Sequence, residues 1–265
     1  MDVRWHRLER DGARLACADY GSEGPSVLLL HGLAGHAREW DSTAAWLSGA
    51  HRVLAPDARG HGRSERRPQD LTPDAFVRDA ESWLEHLSLA PAVVVGQSFG
   101  GITALLLAAR RPDLVRALVI AEATPASDRE AVASVRRWLA SWPLPFPTSD
   151  HAQAFFGGDT LRARAWSAGL EQRRDGLWPA FEPAVLLAAL AGAEARSHWD
   201  EWASIRCPVL VVRAADGAPS GETRRMLDLL PRAGLAEIEE AGHDVHLDQP
   251  ERWETVVFQF ISTVG

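Results

Sequence analysis

Ser98 lies in Gly96-Gln97-Ser98-Phe99-Gly100, after the apolar run 92–95 and before residues 101–108, whose composition predicts a helix. A serine on a strand-to-helix corner, with glycine two places before and two after, reads as a nucleophile elbow. The turn is too tight for side chains at the flanking positions, so glycine is required there. The hydroxyl is pushed out above the sheet edge. The Phe99 N–H falls at the helix start, where unpaired donors can meet a developing oxyanion.

A serine hydroxyl is a weak nucleophile unless a base takes its proton, and that base needs a third group to orient it. His243, in Ala241-Gly242-His243-Asp244, is the candidate base, since imidazole can accept and return a proton near neutral pH. Two carboxylates compete for the third role. Asp216 follows the apolar run 209–212, and Glu122 follows the run 117–121. Both keep the order serine, acid, histidine. The bland alternatives are a loop carboxylate for Asp216 and a structural partner for Glu122.

The elements that must position these groups alternate along the chain. Residues 3–8 and 13–20 predict a hairpin, split by Asp11-Gly12. Short buried strands are predicted at 27–30, 52–55, 93–95, 117–121, 209–212 and 236–239. Helices are predicted at 39–47, 73–87, 101–110, 221–230 and 250–261. Continuous apolar strands alternating with amphipathic helices imply an α/β fold with a mostly parallel sheet covered on both faces. His31, Asp57, Ser98, Glu122, Asp216 and His243 all fall at or just past the C-terminal ends of strands, where open α/β sheets bind ligands.

Composition narrows the function. The 265 residues suit one large domain, and a net charge of −8 without a basic cluster argues against nucleic acid as a partner. All 28 basic residues are arginine, which excludes Schiff-base lysine chemistry. Cys17 and Cys207 provide neither a disulfide framework nor metal spacing. His243 and His246 lie three apart beside Asp244 and Asp248, but the histidine loop accounts for them better than a zinc site does. No metal or organic cofactor is expected. No apolar run is long enough for a membrane span, and the first residues lack a signal peptide's apolar stretch. A cytoplasmic protein without membrane contact is therefore expected; the oligomeric state is not fixed.

With these residues in place, nearly the whole chain resembles the α/β-hydrolase superfamily, in its serine-nucleophile branch. His31-Gly32 looks like that family's oxyanion-loop motif, which implies that the N–H of Leu33 joins that of Phe99. The segment 57–64 is similar to its D-x-R-G-x-G-x-S stretch, usually structural, and Gly242-His243 followed by 248–251 looks like its histidine loop. Asp216 matches the usual acid position and is the expected acid of a Ser98–His243–Asp216 triad, with Glu122, at a less common position, as the alternative. Gln97 stands where many members have histidine, and Arg213 where many have glycine. A serine rather than an aspartate nucleophile argues against the dehalogenase and epoxide-hydrolase branches.

Residues 125–202 interrupt the alternation, show no strand-like run, and carry six of the eleven tryptophans. They are expected to form a helical cap inserted into a single domain spanning 1–265. An aromatic, proline-broken cap over a serine implies an apolar pocket, with Trp138, Trp142 and Phe146 as candidate lining residues. The expected activity is hydrolysis of an ester or lactone of a small, largely apolar molecule through an acyl-enzyme. Thioesterase or carbon–carbon bond hydrolase activity is the alternative, and a catalytically silent receptor of the same fold is the alternative outside enzymes.

Overall fold

The apolar runs become central strands because both of their faces are covered. Val94 of the third run packs into one hydrophobic layer while Val93 and Val95 pack into the other. The structure, a computed structural model, describes residues 3–215 and 221–264.

In chain order, β1 (Arg4–Arg10) and β2 (Ala13–Asp19) form a hairpin. Its turn residues Asp11 and Gly12 both have positive φ, 48° and 73°. β3 (Ser26–Leu30) leads to a 3-10 turn, Ala37–Trp40, and then to α1 (Asp41–Leu47). Next come β4 (Arg52–Asp57), α2 (Pro73–His86), β5 (Ala92–Gln97), α3 (Phe99–Arg110) and β6 (Val115–Ala121). An inserted segment contributes α4 (Ala131–Ala140), α5 (Ser149–Phe156), α6 (Leu161–Ala168), β7 (Leu170–Arg173), β8 (Gly176–Pro179) and α7 (Pro183–Ala193). The chain then returns through α8 (Trp199–Ser204), β9 (Val209–Ala214), α9 (Gly221–Leu229) and β10 (Ala233–Ile238). It closes with α10 (Val245–Asp248) and α11 (Pro250–Thr263).

The eight-stranded sheet has the order β1-β2-β4-β3-β5-β6-β9-β10. Pairing is antiparallel through β1, β2 and β4, and parallel from β4 onward. One face is covered by α2, α3, α8 and α9, which supply Trp83, Leu106, Trp202 and Met226 to that layer. The other is covered by α1 and α11, through Leu47, Trp253 and Val257.

The inserted segment departs from the expected all-helical cap in two ways. It contains a two-stranded antiparallel hairpin, β7–β8, whose pairing is set by a tight turn with Gly176 at φ 140° rather than by apolar residues. Phe146 and Leu177 also exchange backbone hydrogen bonds across it. Moreover, α8 belongs to the main core and not to the excursion. Trp202 is fully buried beneath the sheet, and its indole N–H donates to the Met226 carbonyl at 2.8 Å. The excursion closes earlier, where the His198 N–H donates to the Pro125 carbonyl at 2.7 Å. Trp202→Ala should therefore behave as a core truncation and lower the unfolding free energy by about 3–5 kcal/mol. Urea unfolding monitored by circular dichroism would test this; a loss below about 1 kcal/mol would return α8 to the excursion.

Candidate active site

Ser98 sits between β5 and α3 at φ 51° and ψ −118°, a strained backbone for a residue with a side chain. Its own N–H is anchored to the Ala121 carbonyl at 2.8 Å. The bend works only without side chains beside it. A Cβ on Gly96 would overlap the Gly100 carbonyl, and one on Gly100 would overlap the Leu30 carbonyl. Ser98 is half-buried and opens onto a cavity.

The loop after β3 approaches this corner and is held by two histidines kept neutral. His31 Nε2 accepts the Ala58 N–H at 2.9 Å, and its Nδ1–H donates to the Gly32 carbonyl at 2.8 Å. His61 Nε2 accepts the Ala34 N–H at 3.2 Å. Burial lowers their pKa values to about 4 and about 3, which preserves the acceptor nitrogens. Asp57 accepts the N–H groups of Ala37 and Arg63 at 2.7 and 2.8 Å, so it is structural. Among the described residues, the N–H groups of Leu33 and Phe99 have no hydrogen-bond partner, and both residues line the cavity beside Ser98.

His243 lies on the loop after β10. Gln97, next to the serine, donates its side-chain amide to the His243 carbonyl at 2.8 Å and so ties the two loops together. Both Ser98 and His243 line two adjoining cavities, although no hydrogen bond joins their side chains. The Nδ1 of His243 stands 3.5 Å from Glu122 Oε2. Desolvation opposes the charged imidazolium only weakly, since the side chain is 61% exposed, and Glu122 with the charges of Asp244 and Asp248 outweighs it, so the His243 pKa is raised. Glu122 is held in place from β9. Its Oε1 accepts the Ala214 N–H at 2.6 Å, and its backbone sits at φ 51°. Asp216, the other candidate acid, lies outside the described residues.

The two cavities flank Ser98. The larger, about 480 Å³, runs between α4, α7 and α9 and includes Thr124, Asp128, Glu194 and Arg213. The smaller, about 390 Å³, is bounded by Glu39, Trp138, Trp166 and Asp244. Trp138 lines this cavity, whereas Trp142 and Phe146 line neither. They are 6% and 1% exposed and fill an aromatic cluster inside the inserted segment, against Phe156, Phe181 and each other. A high tryptophan content cannot distinguish a lining ring from a packing one. Trp166 and Glu39 were not singled out by sequence. Glu39 sits in the 3-10 turn that follows the loop after β3, a position whose inward direction no motif announces. No group of residues suited to hold a metal ion occurs among the described residues. No helix there is long and apolar enough to cross a membrane.

A strained serine at a parallel-sheet corner, a histidine loop past the last strand and a loop offering free N–H groups define a fold class also found by comparison. The chain belongs to the Alpha/beta hydrolase family, whose model matches residues 27–255. It is 29% identical over 263 residues to the mouse sn-1-specific diacylglycerol lipase ABHD11, covering 90% of this chain and 81% of that protein. It is 37% identical over 172 residues to Lipase LipV of Mycobacterium tuberculosis, covering 64% of this chain and 58% of that protein. Its fold is similar to the crystal structure of E-2-(acetamidomethylene)succinate hydrolase, with a TM-score of 0.89 at 22% identity over 98% of this chain and all of that one.

Proposed function

We propose that the protein is a serine hydrolase that cleaves an ester or lactone of a small, largely apolar molecule through an acyl-enzyme. The observation that carries this reading is the strained Ser98, facing the same cavity as His243. Ser98 Oγ attacks the carbonyl carbon while His243 Nε2 takes its proton. The tetrahedral oxyanion is received by the N–H groups of Leu33 and Phe99. His243 then protonates the leaving group, and water repeats the attack on the acyl-enzyme with the same base. Glu122 is the acid of this triad, because its carboxylate already stands beside Nδ1. It orients the imidazole and stabilises its charged form. The segment between the Pro125–His198 contact acts as the cap that shapes the pocket. Labelling with a fluorophosphonate is the direct test: a stable adduct on Ser98 is expected, and no labelling of folded protein would remove the nucleophile.

The base must be neutral to act, so kcat/KM should fall as pH drops through the His243 pKa. Because that pKa is raised, the midpoint should lie above the 6.5 of an unperturbed imidazole. Glu122→Gln removes a charge that favours the imidazolium, so its midpoint should move to lower pH. A limb at or below 6.5 that is indifferent to Glu122→Gln would contradict the pairing.

A further inference from the structure

The smaller cavity contains an arrangement that ester hydrolysis itself does not require. Glu39 bounds it and is only 7% exposed. Its Oε2 accepts the His36 N–H at 3.2 Å, the Gly32 N–H also acts on the carboxyl, and no side-chain hydrogen bond reaches it among the described residues. His246 Nε2 stands 3.6 Å from Oε1. His246 offers no countercharge. It is 1% exposed, stacked on Trp40 at 4.3 Å, and burial lowers its pKa to about 4. Asp244 lies on the same cavity, its Oδ2 held by the Trp166 indole N–H at 2.9 Å. The rings of Trp138 and Trp166 meet nearly at right angles, at 82° and 5.4 Å between centres. Two acids and two indoles therefore bound one space beside Ser98. Among the described residues, no arginine lines it, whereas Arg213 lies among the acids of the larger cavity.

We infer that this compartment binds the cationic nitrogen of a substrate, an alkylammonium or quaternary ammonium group, against Trp138 and Trp166 with Glu39 and Asp244 as counterions. Indole faces attract such cations through the negative face of the ring, and more strongly where water is excluded. A buried carboxyl on the cavity wall without a charged side-chain partner supplies the matching charge. Burial, helped by Asp244 and opposed by His36, lifts the Glu39 carboxyl to about 8, so it is kept mostly neutral until a cation arrives. The opposite ligand, a carboxylate, would meet Asp244 and Glu39, with His243 beside Ser98 as its cationic partner. This inference names a substrate class for the hydrolase proposed above and rests on that reading, but binding can be tested without turnover.

The probe is tetramethylammonium chloride, titrated into the unmodified protein by calorimetry at constant ionic strength, with neopentyl alcohol as the neutral counterpart of similar shape. Tetramethylammonium should bind at least about tenfold more tightly than the alcohol. Glu39→Gln, checked for folding by thermal melting, should remove most of that preference while leaving the affinity for the alcohol unchanged. Trp138→Ala should weaken tetramethylammonium. Turnover then places the group in the reaction: choline against 3,3-dimethylbutyl esters of one acid, and betaine against 3,3-dimethylbutyrate esters of one alcohol. The cationic member of one pair should have the higher kcat/KM, and Glu39→Gln should narrow the ratio. Equal binding of tetramethylammonium and the alcohol by the unmodified protein would overturn the inference. So would a Glu39→Gln variant that is folded and keeps the full preference. If Ser98 is not a nucleophile, hydrolysis of every ester fails while tetramethylammonium still binds, so the two readings fail separately.

Discussion

Ser98→Ala is expected to lower kcat by on the order of 10³-fold or more without loss of the fold. The variant removes the only atom proposed to bond with substrate carbon. What remains is binding and two backbone donors, which still stabilise an oxyanion formed by water. The backbone at φ 51° tolerates alanine no worse than serine, since both carry a Cβ, so the melting temperature should change little. Initial rates on a p-nitrophenyl ester, with circular dichroism as a folding check, give the answer. A variant that kept most of its turnover would end the triad proposal.

The second large effect distinguishes the two acids. A catalytic histidine has one Nδ1–H to donate, so one carboxylate is its main partner. Losing that partner frees the wrong tautomer and should cost up to about 10⁴-fold in kcat. The 3.5 Å approach of Glu122 to His243 predicts the larger loss for Glu122→Gln. Asp216→Asn should cost much less. Both variants are to be measured on one substrate, with KM separated from kcat, because a group that only shapes the pocket acts mainly on KM. A folded Asp216→Asn protein with the greater loss in kcat would move the acid to the loop after β9.

Much of this was legible in the residues themselves. The buried runs at 27–30, 93–95, 117–121 and 209–212 mark the central strands, since both faces must be apolar when helices cover a parallel sheet. The elbow was readable because its glycines are sterically forced. Element ends were less so. The helix after Ser98 begins at Phe99 and not at residue 101, because glycines hide the first turn of a helix from any propensity argument. The family position favours Asp216 over Glu122, a preference that spacing alone cannot check. Both follow strands that are neighbours in the sheet, and only the third dimension brings a carboxylate to an imidazole 121 positions away. The β7–β8 hairpin was invisible for a related reason: it is held by turn geometry and a contact with Phe146, neither of which leaves an apolar alternation.

The contact between the Pro125 carbonyl and the His198 N–H gives the inserted segment a waist. A stretch of chain whose two ends already touch adds little loop-closure cost to the sheet beneath it. It can therefore lengthen, shorten or be exchanged whole by recombination, cut at that waist, without moving the strand ends that hold Ser98, Glu122 and His243. Part of the cavity wall can thus vary apart from the strand ends, while Glu39, Arg213 and Asp244 stay with the sheet. A chimaera that replaces residues 126–197 with the matching excursion of a relative should retain the reactive serine and change selectivity only in part, because Glu39, Arg213 and Asp244 stay behind.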